Sequence, residues 1–529
     1  MRMARPVARG ACAALILALV VTALEVGVPT GADAATAANA WRARVGGSGV
    51  NGMATVQADA SGTGSILLQL LRLPASTTLA VTLHRGTCGS VGPVLVKLPS
   101  MRTSSTGGGI RTTSLTKAQA KAIRAAAMGA SRLAIRAGTG RAATCGVFAP
   151  LAAQVGFLTR QGTELQLAGE PFHELSFDKF DLLAQFSPAL GGDWGDRGPG
   201  TVAAAENALR TLGSRGFRVV RVAVSPYSAS GFEGAFFDAD PARQARKRAE
   251  LFAGFDQMLD ACDRHGIRIV ASLQWQIETL GKLGGQPLRT TMIDPDSLGR
   301  RRVAEFVRAV VTRYRDRPTI AMWEVGNEYN LVADIQWKQF DVTSDQVAAY
   351  VHDVATLIRS IDANHLITTG DSAPRPAAMH LLRAVRAGKE VDWTPDSADE
   401  LIEYLRLMNA DPIDVISIHY ADDAMVSLGG RIGSPENLRF YARAAAEIGK
   451  PLFIGEIGYE AGMESYATPV ALARLRATLP VLVELNLPLT LYWTFNDDRE
   501  GSAEELSLRY GRTDEALRLI EAASVEVRR

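Results

Sequence analysis

The stretch TIAMWEVGNEYN, Thr319 to Asn330, followed shortly by SDQVAAYVHDVATLIRSID, Ser344 to Asp362, decides how the chain is read. Its first half is a largely apolar run ending at Val325, the pattern of a buried strand, after which Asn327 and Glu328 arrive together. Its second half places Val347, Val351, Val354, Ile358 and Ile361 on one helical face after a Ser344 cap. A further strand-like run begins near Leu366, so strand, helix and strand follow one another as in a parallel crossover unit. The unit repeats. Strand-like runs begin near Phe172, Val219, Ile267, Thr319, Leu366, Val415, Leu452 and Leu489, spaced by 37 to 52 residues. Helical periodicity fills the gaps, as in LGRRRVAEFVRAVVTRYRD (298–316), and a last helical segment, SLRYGRTDEALRLIEAASVE (507–526), closes the series. Eight strands so arranged predict a (β/α)8 barrel rather than an open doubly wound sheet. No strand leads into a G-x-G-x-x-G turn, which removes the main signal of a dinucleotide fold.

Outward from the barrel, 529 residues and 56.6 kDa exceed one ordinary core and predict a second, smaller domain. Basic and acidic residues balance at 57 and 56 with no basic stripe, which argues against a nucleic-acid partner. At the start, Arg2, Arg5 and Arg9 precede the apolar run Ala11 to Leu24, and small residues follow. Fourteen residues fall short of the roughly 20 that span a bilayer. Residues 1–40 therefore read as a cleaved export signal, with an uncleaved anchor as the alternative, and no later segment looks transmembrane.

From 41 to 150 the texture is Gly, Ser and Thr between short apolar stretches such as SILLQLLRL, TTLAVTLHRG and RLAIRAG, with a helix-like insert at Lys117 to Ala127. A small β-rich ancillary domain is expected. Cys88 and Cys145 both fall within it and are paired in this reading, whereas Cys262 lies in a helical pattern and is expected buried and free. Closing that loop would add about 4 kcal/mol in the chain-entropy model.

A barrel builds its active site from the C-terminal ends of its strands. Strand 2 carries Arg221 and runs into Tyr227; strand 3 delivers Gln274, Trp275 and Gln276; strand 4 delivers Asn327 and Glu328. Strand 6 delivers His419 and Tyr420, strand 7 Glu456, and strand 8 Trp493. Glu328 and Glu456 thus emerge roughly opposite each other, the equipment of glycoside hydrolysis: one carboxyl to protonate the leaving oxygen, one to attack the anomeric carbon or activate water. Arg221 beside Glu456 would hold it ionised, and an amide at Asn327 suits a sugar 2-hydroxyl. The aromatic residues Trp275, Trp323, Tyr227, Tyr329, Tyr420 and Trp493 suit a flat, uncharged, hydroxylated ligand. Asp193 and Trp194 in SPALGGDWGDRGPG, together with the segment IETLGKLGGQPLRTTMID, are expected to wall the cleft.

These residues resemble clan A glycoside hydrolases, most closely family 5, the endoglucanase and endomannanase group, over Phe157 to Arg529. The resemblance implies that Glu328 of WEVGNE is the acid/base, that Glu456 of FIGEIG is the nucleophile, and that Arg221, Asn327, His419 and Trp493 contact substrate or nucleophile. It implies retention of anomeric configuration and no metal or cofactor. Two departures stand out: Ala421 occupies the place of the usual strand 6 tyrosine, with Tyr420 adjacent, and strand 3 ends in Gln-Trp-Gln where many members have a histidine. The expectation is a secreted, monomeric, retaining hydrolase of a β-linked polysaccharide or oligosaccharide with domain limits 1–40, 41–150 and 157–529. A non-hydrolytic carbohydrate-binding protein or a transglycosylase on the same barrel remains the alternative.

Overall fold

The computed structural model describes residues 40–528 apart from 48–49, 59–63, 72, 74–75, 104–108, 129–131, 139–142, 151–155, 188–200, 227–230, 232, 336–340, 423–425, 429, 432–433, 461–464 and 497–506, and the counts below are of the described residues. Eight parallel strands, β1 (Glu174–Asp178), β2 (Val219–Ala223), β3 (Arg268–Ser272), β4 (Ile320–Glu324), β5 (Leu366–Thr368), β6 (Ile416–Asp422), β7 (Leu452–Glu460) and β8 (Leu489–Tyr492), start within two residues of their expected positions. Between and after them run α1 (Val202–Ser214), α2 (Pro241–His265), α3 (Leu298–Tyr314), α4 (Ser344–Ile361), α5 (Ala398–Met408), α6 (Pro435–Ile448), α7 (Pro469–Leu485) and α8 (Asp514–Val527).

Around the sheet the order is β5-β4-β3-β2-β1-β8-β7-β6, so the first and last strands pair, with Glu174 opposite Leu489 and Phe177 opposite Tyr492. Between β5 and β6 the ring closes through a single isolated bridge, Thr368 with Val415. There the amides of Asp414 and Val415 donate to Ile367 O at 2.8 and 3.2 Å, and Thr368 Oγ1 donates to Val415 O at 2.9 Å. The fold is a (β/α)8 barrel.

Strands such as β2, VVRVA, are buried on both faces, which is why they read as largely apolar runs. Alternation still sorts their side chains: Val219, Val270, Met322, Val415, Phe453 and Leu489 form one interior cluster, while Val220, Ile269, Trp323, Ile416 and Ile454 join the core shared with the helices. Trp323, a candidate for the site, thus belongs to that core; its indole N–H donates to Asp362 Oδ2 at 2.7 Å. Helix α4 is capped one residue earlier than expected. Thr343 Oγ1 accepts from Gln346 N at 3.2 Å while Gln346 Oε1 accepts from Thr343 N at 3.1 Å. The Ser344 hydroxyl is engaged instead by Asp334 and by the Tyr404 hydroxyl.

Below the barrel, a three-stranded antiparallel sheet (158–171) adds Leu158 and Leu165 to the interior cluster. Glu174 at the foot of β1 accepts from Arg218 at 2.6 Å and from Arg528 Nε at 2.9 Å, tying the end of the chain to the first strand. Ahead of the barrel, nine antiparallel strands between Ala40 and Pro150 enclose a core of Trp41, Val45, Val56, Leu68, Leu83 and Ile135, into which Ile123 of the helix Lys117–Met128 packs. Cys88 and Cys145 are bridged there, and Cys262 is buried and free. The residues that hold the expected export signal lie outside the described residues. Among the described residues no helix is long and apolar enough to cross a membrane.

Candidate active site

Arg221 is the third residue of β2 and points into the barrel, where it is fully buried. A buried guanidinium must have every N–H satisfied by acceptors. Here Nε lies 2.9 Å from both oxygens of Glu324, the last residue of β4, and Nη2 is 2.7 Å from Glu324 Oε1. Nη2 also donates to Asn327 Oδ1 at 2.7 Å, and Nη1 to Glu456 Oε1 at 2.6 Å. A third carboxyl, Asp178 at the end of β1, lies 3.8 Å from Nη1. Burial works against the charge on Arg221, but Glu324, Asp178 and Glu456 outweigh it and raise its pKa, so the group is a permanent cation. Asp178 goes the other way: burial, with Glu456 and Glu324 adding repulsion, overcomes Arg221 and pushes its carboxyl well above the usual range. Because its Oδ1 is taken by Arg221, Asn327 has its NH2 left to donate.

Glu328 follows β4 in left-handed backbone, φ 56°, which a non-glycine residue adopts only when its surroundings impose it. Its amide donates to Gly370 O at 2.7 Å. Gly370, φ +80°, can carry no side chain: a Cβ there would lie 2.0 Å from Gly326 O and 2.8 Å from Glu324 Cδ. His419, inward on β6, sets its Nδ1 3.4 Å from Glu328 Oε1 and 3.5 Å from Glu456 Oε1. One oxygen of each carboxyl and a His419 ring nitrogen all fall within 4.8 Å of one another. Those three side chains offer ligand atoms for a metal ion, yet Arg221 already places a positive charge against Glu456 and makes a second cation there costly.

Burial is the leading influence on both glutamates and raises both. On Glu456, His419 and Arg221 oppose it. Burial and Arg221 hold His419 to about 4, so it is neutral near pH 7 and Arg221 is the cation that acts on Glu456 there. Glu328 is pulled down only by Arg221 and by the Ser372 side chain beside it. With side chains 26% and 17% exposed against 0% for Arg221, Glu324, Asp178 and His419, Glu328 and Glu456 are the carboxyls of the cluster that reach the cleft.

The aromatic expectations divide. Trp493, half-buried and joined to Thr494 by a cis peptide, stacks on Phe180 at 4.9 Å and 21°. Trp275 stacks on the same Phe180 at 5.8 Å but is only 7% exposed, with its ring 4.4 Å from the Arg221 guanidinium carbon, so it covers the arginine. Tyr420 must be moved out of the site. One step along β6 from His419 reverses the side chain, and Tyr420 is buried in the helix-facing core, edge-on to Tyr441 of α6. Tyr329 is likewise buried, its hydroxyl donating to Gln274 O at 2.7 Å. Asp193, Trp194 and Tyr227 lie outside the described residues. Sequence reasoning missed Glu324, Asp178, Phe180 and Ser372; the first two are inward positions that end β4 and β1, and period-two counting from Met322 finds Glu324.

A carboxyl pair this close, one just after β4 and one within β7, with one member resting on an arginine, is the arrangement of a glycosidase of the barrel class. The family model described as Cellulase (glycosyl hydrolase family 5) matches residues 169–498, a span that contains the whole cluster, and the protein belongs to that family. It is a hydrolase of O-glycosyl compounds. Mannan endo-1,4-beta-mannosidase 3 of Arabidopsis thaliana is 24% identical over 358 residues, covering 62% of this chain and 78% of its own. Mannan endo-1,4-beta-mannosidase 7 of Oryza sativa subsp. japonica is 26% identical over 334 residues, covering 56% and 76%. Among solved structures, the endo-1,4-beta-mannanase of Rhizomucor miehei superposes with a TM-score of 0.51 at 16% identity, over 70% of this chain and 99% of that one, a likeness of fold.

Proposed function

We propose that the protein is an exported enzyme that cleaves internal β-1,4 bonds of a mannan-type polysaccharide with retention of configuration. The observation that carries this reading is the separation of Glu328 and Glu456, whose nearest oxygens lie within 4.8 Å. Retaining enzymes hold their carboxyls about 5–5.5 Å apart, whereas inverting enzymes need roughly 6.5–9.5 Å to admit a water. Glu456, whose negative charge Arg221 supports against the effect of burial, attacks the anomeric carbon while Glu328 passes its proton to the departing glycosidic oxygen. A glycosyl ester on Glu456 results. Glu328, now ionised, takes a proton from water as that water attacks the same carbon and releases Glu456. The Asn327 amide serves the 2-hydroxyl, a contact that strengthens as positive charge develops on the sugar ring. Trp493 and Phe180 offer the ring an apolar wall.

The names of the relatives favour mannan among β-linked polysaccharides. Export is supported by the basic and apolar start of the chain and by the Cys88–Cys145 bridge. The test is hydrolysis of β-mannan, with β-glucan and xylan as controls, by the protein and by Glu328→Gln and Glu456→Gln, folding being checked by circular dichroism. Each substitution is expected to lower kcat by about 10²–10⁴-fold, and proton NMR of early product should show the β anomer first. Wild-type rates in both variants, or initial release of the α anomer, would overturn the assignment.

A further inference from the structure

We propose that Glu324 is a positioning residue that acts through Arg221 on two groups at once, the nucleophile Glu456 and the amide of Asn327. The proposal rests on the functional reading above. A guanidinium is a rigid plane with five N–H groups, so fixing two of them in a fork fixes the directions of the other three. Glu324 supplies that fork, its two oxygens facing Nε and its Oε1 also meeting Nη2 at 2.7 Å. The second N–H of Nη2 then falls on Asn327 Oδ1 at 2.7 Å, and Nη1 presents one N–H to Glu456 at 2.6 Å and faces Asp178 at 3.8 Å with the other.

Nothing near Glu324 lets it drift. It is fully buried at the end of β4, the backbone of Gly370 closes against its carboxyl, and the indole of Trp275 lies over the guanidinium. Attack at the anomeric carbon and support of the 2-hydroxyl are therefore set by one carboxylate that touches neither. A second consequence is electrostatic. The charged and titratable groups facing this arginine and carboxylate are Asp178 of β1, Glu456 of β7, His419 of β6, Glu328 and Tyr329 after β4 and Asp371 after β5. Removing the charge of Glu324 gives more of the guanidinium to Glu456, so the acid side of the pH profile, where the nucleophile becomes protonated, moves to lower pH.

The experiment compares the wild type, Glu324→Gln and Glu324→Asp on 2,4-dinitrophenyl β-mannobioside and on the same compound lacking the 2-hydroxyl of the sugar that bears the leaving group. With so good a leaving group the first step needs no acid, and kcat/KM reads the nucleophile. In Glu324→Gln an NH2 replaces one acceptor of the fork, and kcat/KM should fall about 10- to 100-fold, the scale of an ångström of misplacement. The ratio of rates with and without the 2-hydroxyl should shrink toward one, because Asn327 is released together with Glu456, and the acid limb should move down. Glu324→Asp keeps the charge and should keep the acid limb while losing part of the same ratio; it carries the test if the glutamine variant does not fold. A group that only braces the core would lower the melting temperature and leave both the ratio and the limb at wild-type values, and that outcome overturns the proposal. Failure of the wild type to hydrolyse this substrate, mannan and every other β-glycan would instead overturn the functional reading, and the proposal with it.

Discussion

Glu328 and Glu456 are a few ångströms apart and both are pushed toward the neutral form by burial, yet only Glu456 rests on a guanidinium. In the proposed mechanism that difference divides their labour, and it has a measurable signature. In that mechanism Glu328 must hold its proton to cleave an ordinary glycoside, so the rate on mannan is expected to fall as pH rises through its elevated pKa. A dinitrophenyl leaving group needs no proton in the first step, so the kcat/KM profile on that substrate should lack the alkaline limb while keeping the acid one. An identical alkaline limb on both substrates would remove Glu328 from its role. Most of this cluster is legible in the sequence, because Asn327 and Glu328 directly follow β4, and Arg221, His419 and Glu456 lie within β2, β6 and β7, the strands from which a barrel builds its site. Tyr420 misleads for the same reason: nearness to a strand end is not enough, and the alternation of β6 sends it to the core. Glu324 escapes notice because an acid inside an apolar run has no local partner to announce it; its partner is 103 residues away.

At the scale of elements, the segment after β5 shows how a loop is held over a catalytic carboxyl. Asn330 grips Ser372 twice, with Oδ1 accepting the Ser372 amide at 3.0 Å and Nδ2 donating to Ser372 O at 2.8 Å. The Ser372 hydroxyl donates to His419 O at 3.1 Å. Between the clamp and Gly370 sits Asp371, buried, and burial pushes its pKa up to about 7 against the pull of hydrogen bonds from Thr369 and Asn330. A carboxyl whose folded pKa exceeds its unfolded value of about 3.9 costs nothing below the unfolded value. It subtracts stability progressively as pH rises toward and through the folded value. Asp371→Asn, neutral and of the same shape, should therefore be more stable than the wild type at pH 8 by roughly 1–3 kcal/mol and equal to it near pH 4. Thermal melts across that range decide the matter, and a difference independent of pH would exclude the explanation. The elements themselves were legible in proportion to their length. The long crossover helices declare their period, whereas Ile277–Leu283 and Leu288–Ile293, two short helices interrupted by Gly284 and Gly285, read only as a loop walling the cleft.

In the whole molecule, the expected eightfold alternation is found because strand and helix periods agree with the tertiary arrangement at nearly every unit. What no local pattern announces is where the ring is joined. Seven of its neighbouring pairs are ladders, but β5 meets β6 through one bridge, reinforced by Thr368 and by Asp414, which accepts the Ile367 amide at 3.0 Å. The Gly370 carbonyl that receives the Glu328 amide follows one side of that join, and His419 stands on the other. On warming, the join should part before the rest of the barrel melts. The temperature of half-lost hydrolysis is then expected a few degrees below that of half-lost far-UV ellipticity, and coincident midpoints would show that the ring fails as one piece. Seen as a machine part, the barrel is a hoop with its clasp beside the cutting edge. If the clasp opens first, it sets the working life in hot use, and extra fastening there should lengthen service without touching the blade.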